Sequence, residues 1–323
     1  MNDASDAADR GVIEGAMGAE RAGEIAEAVV ENVRRVIVGN REAIELLVAG
    51  FLGGGHVLVE DVPGVGKTML ARALAASVDC SFERVQFTPD LLPADITGTN
   101  IYNRKAEEFE FQPGPVFANV VLADEINRAP PKTQAAMLEA MAETQVTVDG
   151  RTHPMPDPFV VVATQNSIER DRTYELPAAE LDRFMLRLRL GYPDAEGEAT
   201  VIDRAIGGHA IEAVTPVASA AELRAVQAAT DSVEVREPLR AYVARIARYT
   251  REHAELGASP RGSIALVRAA QGRAILKSRS YAVPDDVQAM APHVLPHRLR
   301  AEGSDTDEKG VVSDALESVP VEA

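Results

Sequence analysis

Apolar and polar positions along the chain fall into two regimes. Between Glu24 and Val38 the apolar residues Ile25, Val29, Val33 and Val36 recur at helical spacing. Asn40 carries an N-cap side chain, and a second helix is predicted from Arg41 to Leu52, ended by Gly53, Gly54 and Gly55. His56 to Glu60 then reads as a buried strand, followed by a glycine turn and a helix from Lys67 to Ser77. Further strands are predicted at Phe82–Gln86, Asn119–Ala123, Phe159–Ala163 and Met185–Leu190, with a helix at Lys132–Glu143. Strands alternating with helices indicate a parallel sheet covered on both faces. Two stretches break the alternation. Residues 95–117, with Gly98, Pro113, Gly114 and Pro115, read as an insertion. Residues 145–156, with Val146, Val148 and an Asp149-Gly150 turn, read as a hairpin.

After Tyr192-Pro193 the alternation stops. Helices are predicted over 194–206, 219–229, 237–255, 261–278 and 284–299, with a short extended piece at 233–235. The expected organisation is a flexible acidic tail (1–20), an α/β core (21–192), a helical lid (193–300) and an acidic disordered tail (301–323).

Composition sharpens this picture. The 323 residues allow two modest domains, and a 46% hydrophobic content supports a full core. With 4% aromatics and no tryptophan, that core must rest on Ala, Val, Leu and Ile. Fifty acids against 33 bases give a net charge of −17, which opposes non-specific binding to nucleic acid or anionic lipid. The lysines are confined to Lys67, Lys105, Lys132, Lys277 and Lys309. Acid excess with so few lysines suits a protein that works in high salt, and a GC-rich genome gives the same bias. Cys80 stands alone, so neither a disulfide framework nor a cysteine metal site is expected. His293 and His297 are four apart, but Pro296 interrupts the helix between them, so they make a poor metal pair. The first twenty residues lack the basic and apolar stretches of a signal peptide, and no apolar run reaches the roughly 18 residues of a membrane span. A cytoplasmic protein is expected.

The strongest chemical signal is Asp61-Val62-Pro63-Gly64-Val65-Gly66-Lys67-Thr68, with Met69 after it, between a predicted strand and a predicted helix. Gly64 and Gly66 let backbone N–H groups wrap phosphate oxygens, and the helix points its positive end at the same anion. Lys67 supplies a charge for the β and γ phosphates, and Thr68 a hydroxyl for Mg²⁺. Asp61 stands where such loops usually begin with glycine. A second apolar strand ends in Asp124-Glu125. Ligands of open parallel sheets sit at the carboxyl ends of strands. Asp124 is therefore a candidate for the Mg²⁺ shell and Glu125 for the base that activates water. A third strand ends at Thr164-Gln165-Asn166, and Asn166 could position that water or read the γ-phosphate. Arg183, in Leu181-Asp182-Arg183-Phe184, could reach a phosphate in a neighbouring subunit, with a salt bridge to Glu180 or Asp182 as the plainer reading. Arg128 is a second candidate for such work. Arg261, after Ser259-Pro260, could fold over the nucleotide from the lid.

Together these motifs resemble the MoxR family of AAA+ ATPases. The resemblance rests on Val59–Thr68, Phe87–Asp95, Phe111–Phe117, Ala123–Gln134, Ala163–Asn166, Leu176–Phe184, Ser259–Arg261 and the stretch from Gly272 to Val287, and runs from about residue 24 to 300. It implies a P-loop αβα core with a small helical lid, ATP and Mg²⁺ as ligands, and adenine contacts near Val38 and Gly39. It implies Asn166 as the first sensor, Arg261 as the second and Arg183 as the arginine finger acting in trans. The insertion at 95–117 and the hairpin at 145–156 would face the pore or the substrate. A hexameric ring, a chaperone role on a protein client and a von Willebrand A-domain partner follow as expectations. The alternatives left open are a chelatase-type metal-insertion motor, a nucleotide-gated scaffold with little turnover and, disfavoured by charge, a DNA-remodelling motor.

Overall fold

The computed structural model describes residues 17–166, 173–207, 211, 214–302 and 307–322. The expected tail at 1–20 thus lies almost wholly outside the described residues.

The core opens with two helices, α1 (Ala19–Arg34) and α2 (Arg41–Leu52). Asn40 caps α2 through its side-chain oxygen, which accepts from the Ala43 N–H at 3.0 Å. Then follow β1 (His56–Asp61), α3 (Lys67–Ser77), β2 (Phe82–Gln86), α4 (Pro93–Thr97), β3 (Gly98–Asn103) and β4 (Glu108–Pro113). The chain continues through β5 (Val120–Asp124), α5 (Pro131–Glu143), β6 (Gln145–Val148), β7 (Arg151–Pro154), β8 (Val160–Asn166), α6 (Ala178–Leu181) and β9 (Phe184–Leu188). Strands β2-β5-β8-β1-β9 form a five-stranded sheet in that order, every neighbouring pair parallel. All five residues of β5 are buried, as are the first five of β8, which is what near-continuous apolar runs predict for a sheet covered on both faces. Such a sheet opens its ligand crevice at the carboxyl ends of its strands.

The insertion and the hairpin leave the sheet as two antiparallel ribbons, β3–β4 and β6–β7. They are joined side by side. The Asn100 amide donates to Asp149 at 2.7 Å, and the Phe111 ring stacks on His153 with centroids 3.9 Å apart. Ile101, Tyr102 and Phe109 stay exposed on the outer ribbon.

The lid comprises α7 (Ala195–Gly207), α8 (Ala220–Asp231), α9 (Glu237–Glu252), α10 (Pro260–Leu276), α11 (Pro284–Val294) and α12 (Glu308–Ser318). It is fastened to the core. A Cβ on Gly272 would lie 2.1 Å from the Ala49 carbonyl oxygen, so α10 meets α2 backbone to backbone. Asp182 clasps the two parts from the core side: it accepts from Ser259 Oγ at 2.9 Å and from Arg298 Nε at 2.8 Å. Around α9, Arg236 pairs with Glu234, Arg245 with Glu322 and Arg248 with Glu252, as on a solvated face.

Within the segment 301–323, expected as a disordered tail from its acidic composition, the described residues include a helix. Helix α12 buries Val311, Val312 and Ala315, and Asp307 caps it by accepting from the Gly310 N–H at 2.7 Å. Those apolar residues lie on one helical face, and that pattern outweighs the surrounding charge. The extended piece at 233–235 reduces to one bridge, Glu234 to Tyr281.

His56, at the start of β1, is buried. Its Nδ1 accepts from the Val161 N–H at 3.0 Å and its Nε2 lies 3.1 Å from the Met141 carbonyl oxygen. Burial pushes its pKa down to about 4, against the pull of the Met141 carbonyl. The folded state therefore refuses a proton that the unfolded chain accepts at its ordinary value near 6.5. Stability from this group is complete above pH 6.5 and is lost as pH falls through the window down to about 4. Melting temperatures recorded from pH 8 to 4 are expected to fall across that window, and His56→Gln is expected to flatten its share of the slope, worth roughly 3 kcal/mol at most.

Candidate functional site

Four strand ends meet at the carboxyl edge of the sheet. Asp61 at the end of β1 is in register with Asn166 at the end of β8, and Gln86 at the end of β2 with Asp124 at the end of β5. The loop after β1 turns into α3 through Gly64 and Gly66, both at positive φ (85° and 92°), a conformation that favours glycine. Lys67 reaches back across it. Its Nζ donates to the Asp61 carbonyl at 2.8 Å and to the Gln165 carbonyl at 3.5 Å. Burial pulls the ammonium below its ordinary pKa, and Asp61, Asp124 and Glu125 oppose that pull.

Asp124 and Glu125 are consecutive, so in a continued strand their side chains would point to opposite faces. The strand stops at Asp124, and Glu125 takes a left-handed backbone (φ 58°, ψ 49°). Thr164 of β8 holds this kink from both sides: its Oγ1 accepts from the Glu125 N–H at 2.8 Å and donates to Asp124 Oδ1 at 2.6 Å. Both carboxylates therefore line one cavity of 390 Å³ with Pro63, Gly64, Gly66, Lys67, Thr68, Met69 and Asn166. The Thr68 hydroxyl and Asp124 carboxylate make an all-oxygen pair, the donor chemistry of a hard divalent cation. Among the described residues no group of three or more His, Cys, Asp or Glu could hold a metal unaided, so phosphates and water would have to complete such a shell.

A second cavity of 330 Å³ adjoins the loop on its other side, lined by Ile37, Val38, Val65, Met69, Tyr192 and Val201 among others. Its apolar walls suit a flat heteroaromatic base. Gly39 supplies the turn beside it at φ 101°.

Several expected positions are placed differently. Asp61 and Val62 line neither cavity. The Asp61 carboxylate turns sideways to accept from the Leu190 and Gly191 N–H groups, both at 2.8 Å, where the chain leaves β9 for the lid. That lateral bond is the physical reason an acid replaces glycine here. Arg183 is half-buried, not exposed: it donates to the Leu138 carbonyl, and Asp182 is engaged with Arg298 instead. Arg261 does not close over this chain's own phosphate loop. It lines a separate cavity of 240 Å³ with Arg183, Gly55, His56, Arg268 and Arg298. Gly55 and His56 mark the amino end of β1, whereas the phosphate loop follows its carboxyl end. The two arginines thus face the opposite edge of the sheet. Arg128 pairs with Glu125 at 3.2 Å.

Sequence reasoning overlooked Arg84 and Gln86, which also line the phosphate cavity. The rule that strand ends carry ligands, applied to β2, would have flagged Gln86. Arg84, two residues earlier on the same strand face, had no such signal.

Comparisons with known proteins bear on this arrangement directly. The family model described as "ATPase family associated with various cellular activities (AAA)" matches residues 56–186, and that for the AAA lid domain matches 246–317. Over 289 residues the chain is 43% identical to Chaperone MoxR1 of Mycobacterium tuberculosis, covering 84% of this chain and 75% of that one. It is 33% identical to Protein MoxR of Methylorubrum extorquens, covering 83% and 85%. The chain is a MoxR-family AAA+ ATPase. An uncharacterised member of Bacillus subtilis, YeaC, is 52% identical over 272 residues, covering 84% of this chain and 85% of that one. A crystal structure of a Cytophaga hutchinsonii protein described provisionally as an ATPase superposes with a TM-score of 0.87 at 36% identity, covering 94% of this chain and 97% of that one. The family assignment agrees with the α/β core and helical lid described above. No helix among the described residues of this MoxR-family chain is long and apolar enough to cross a membrane.

Proposed function

We propose that this chain hydrolyses ATP in a Mg²⁺-dependent reaction, as one subunit of a ring that remodels a protein client. The observation that carries the reading is the division of the site between two edges of one sheet. The phosphate loop, Asp124, Glu125 and Asn166 line a cavity at the carboxyl edge. Arg183 and Arg261 line another beside the amino end of β1. One copy cannot bring both edges to the same phosphate, but two copies set face to edge in a closed ring can.

In this reading Lys67 and the loop N–H groups hold the β and γ phosphates, and the cavity at Val38, Val65 and Tyr192 takes the adenine. Asn166 orients the attacking water and Glu125 accepts its proton. Thr68 and Asp124 would hold Mg²⁺, which neutralises charge on the phosphates when bound. Arg183 and Arg261 of the neighbour reach the γ-phosphate as charge develops there. The lid arginine therefore serves the next subunit's nucleotide, not its own. The joined ribbons with Ile101, Tyr102 and Phe109 at their exposed face are the surface offered to the client. A von Willebrand A-domain protein is the partner we expect from the family resemblance, and the similarity to Chaperone MoxR1 supports the chaperone part of the reading.

Turnover per subunit, measured against protein concentration at low and high salt, tests this reading. The expected result is a steep rise as rings assemble. Full turnover at dilutions where only monomers exist would overturn it, and ATP binding with no turnover at any concentration would favour the scaffold.

A further inference from the structure

We propose that Arg84 is a built-in competitor of the divalent cation at Asp124, holding the carboxylate until a metal–nucleotide displaces it. The proposal rests on the nucleotide-site reading above and assigns a positioning residue to it.

The geometry is specific. Arg84 Nε and Nη2 both donate to Asp124 Oδ2, at 3.0 Å and 2.7 Å. The other oxygen, Oδ1, is taken by Thr164 Oγ1 at 2.6 Å. Both oxygens of the candidate metal ligand are thus engaged, one of them by a full positive charge. A cation at ligand distance, roughly 2 Å, cannot share Oδ2 with a guanidinium without strong like-charge repulsion. One of them must leave.

Burial indicates which. The Asp124 side chain is 10% exposed and held by Thr164 from the neighbouring strand, whereas the Arg84 side chain is 48% exposed. Arg84 can swing into water with little loss, because an arginine keeps its hydration at the surface and half-exposed ion pairs are weak. Its resting position is nonetheless built. Nη2 also donates to Gln86 Oε1 at 2.6 Å, and Gln86 Nε2 in turn donates to Glu125 Oε2 at 2.8 Å. The guanidinium therefore sits between two acceptors on the cavity wall, not loose in solvent. In an acidic chain this arrangement does useful work: it neutralises Asp124 while no metal is present, and it makes tight metal binding conditional on a nucleotide that brings its own phosphate ligands.

The test uses the full-length protein and a fluorescent ATP analogue, titrated once with excess Mg²⁺ and once with EDTA. The deciding quantity is the ratio of the two affinities. Removing the competitor in Arg84→Ala is expected to raise that ratio by about five-fold over wild type, the scale of a half-exposed charged pair. The half-saturating concentration of Mn²⁺ on the nucleotide complex, followed by electron paramagnetic resonance, is expected to fall by the same factor. Arg84→Gln removes the charge with less loss of packing and should behave alike, which covers the case of an unstable alanine variant. The opposite pattern overturns the proposal: an unchanged or lowered ratio, with the nucleotide bound more weakly in both buffers, makes Arg84 a phosphate ligand. Failure of the underlying reading looks different, since then wild type and Lys67→Ala would bind the analogue equally, or neither would bind it.

Discussion

Arg183→Ala is expected to lower turnover of the assembled protein by about 10³-fold or more while leaving nucleotide affinity within a few-fold of wild type. The reason is positional. Arg183 emerges at the amino end of β9, beside the Gly55–His56 start of β1, and cannot meet the phosphate loop of its own chain. Under the ring reading, its loss removes transition-state charge stabilisation without removing a single contact to locally bound ATP. Steady-state turnover and fluorescent-nucleotide binding, compared at protein concentrations where rings form, read the two effects separately. A mixing experiment makes the assignment sharper. Arg183→Ala retains an intact phosphate site, and Lys67→Ala retains an intact arginine edge. Each is expected to be inactive alone, and equimolar mixing should restore a measurable fraction of turnover. Arg183→Ala with near-normal turnover, or a mixture as dead as its components, would remove the trans assignment.

Glu125→Gln carries the second large effect. The change keeps the size and one acceptor oxygen of the side chain, so its contact with Gln86 can persist. It removes the ability to take a proton from water, and general-base contributions of this kind are worth about 10²–10⁴-fold. Single-turnover hydrolysis should slow by that factor while ATP is still bound, leaving the nucleotide trapped. Hydrolysis within about ten-fold of wild type would move the base elsewhere, since even the low end of the general-base range is larger.

Much of this was legible from residue order because local signals agreed with the global fold. The buried strands announced themselves as apolar runs, and Asn40 as a cap, which receives the expected backbone N–H. The phosphate loop needed only its glycines, its lysine and the flanking elements. What stayed hidden was three-dimensional. Nothing in the order of residues indicated that Asp61 would turn towards Leu190, because its partners are about 130 positions away. Arg261 was expected over the nucleotide, and its actual place depends on how α10 packs on α2 at Gly272, a contact that residue order does not reveal. The helix at Glu308–Ser318 was missed because acidic composition outweighed a short apolar stripe. Arg84 was missed because an arginine on a strand reads as a surface residue until its carboxylate is seen.

The Asp61 carboxylate makes the phosphate loop and the exit towards the lid a single mechanical piece. Its Oδ1 also accepts from the Val62 N–H at 2.8 Å, so one side chain grips the first peptide of the loop and the two peptides at 190 and 191 together. Under the nucleotide-site reading, these bonds give a displacement of the loop a direct route to the segment leading into the lid. Because Arg261 lies at the far edge, under the ring reading that route would end at the next subunit's phosphate. Under the ring reading, the substitution of an acid for the usual first glycine is thus a linkage between neighbouring sites, by which filling one resets the arginine offered to the other.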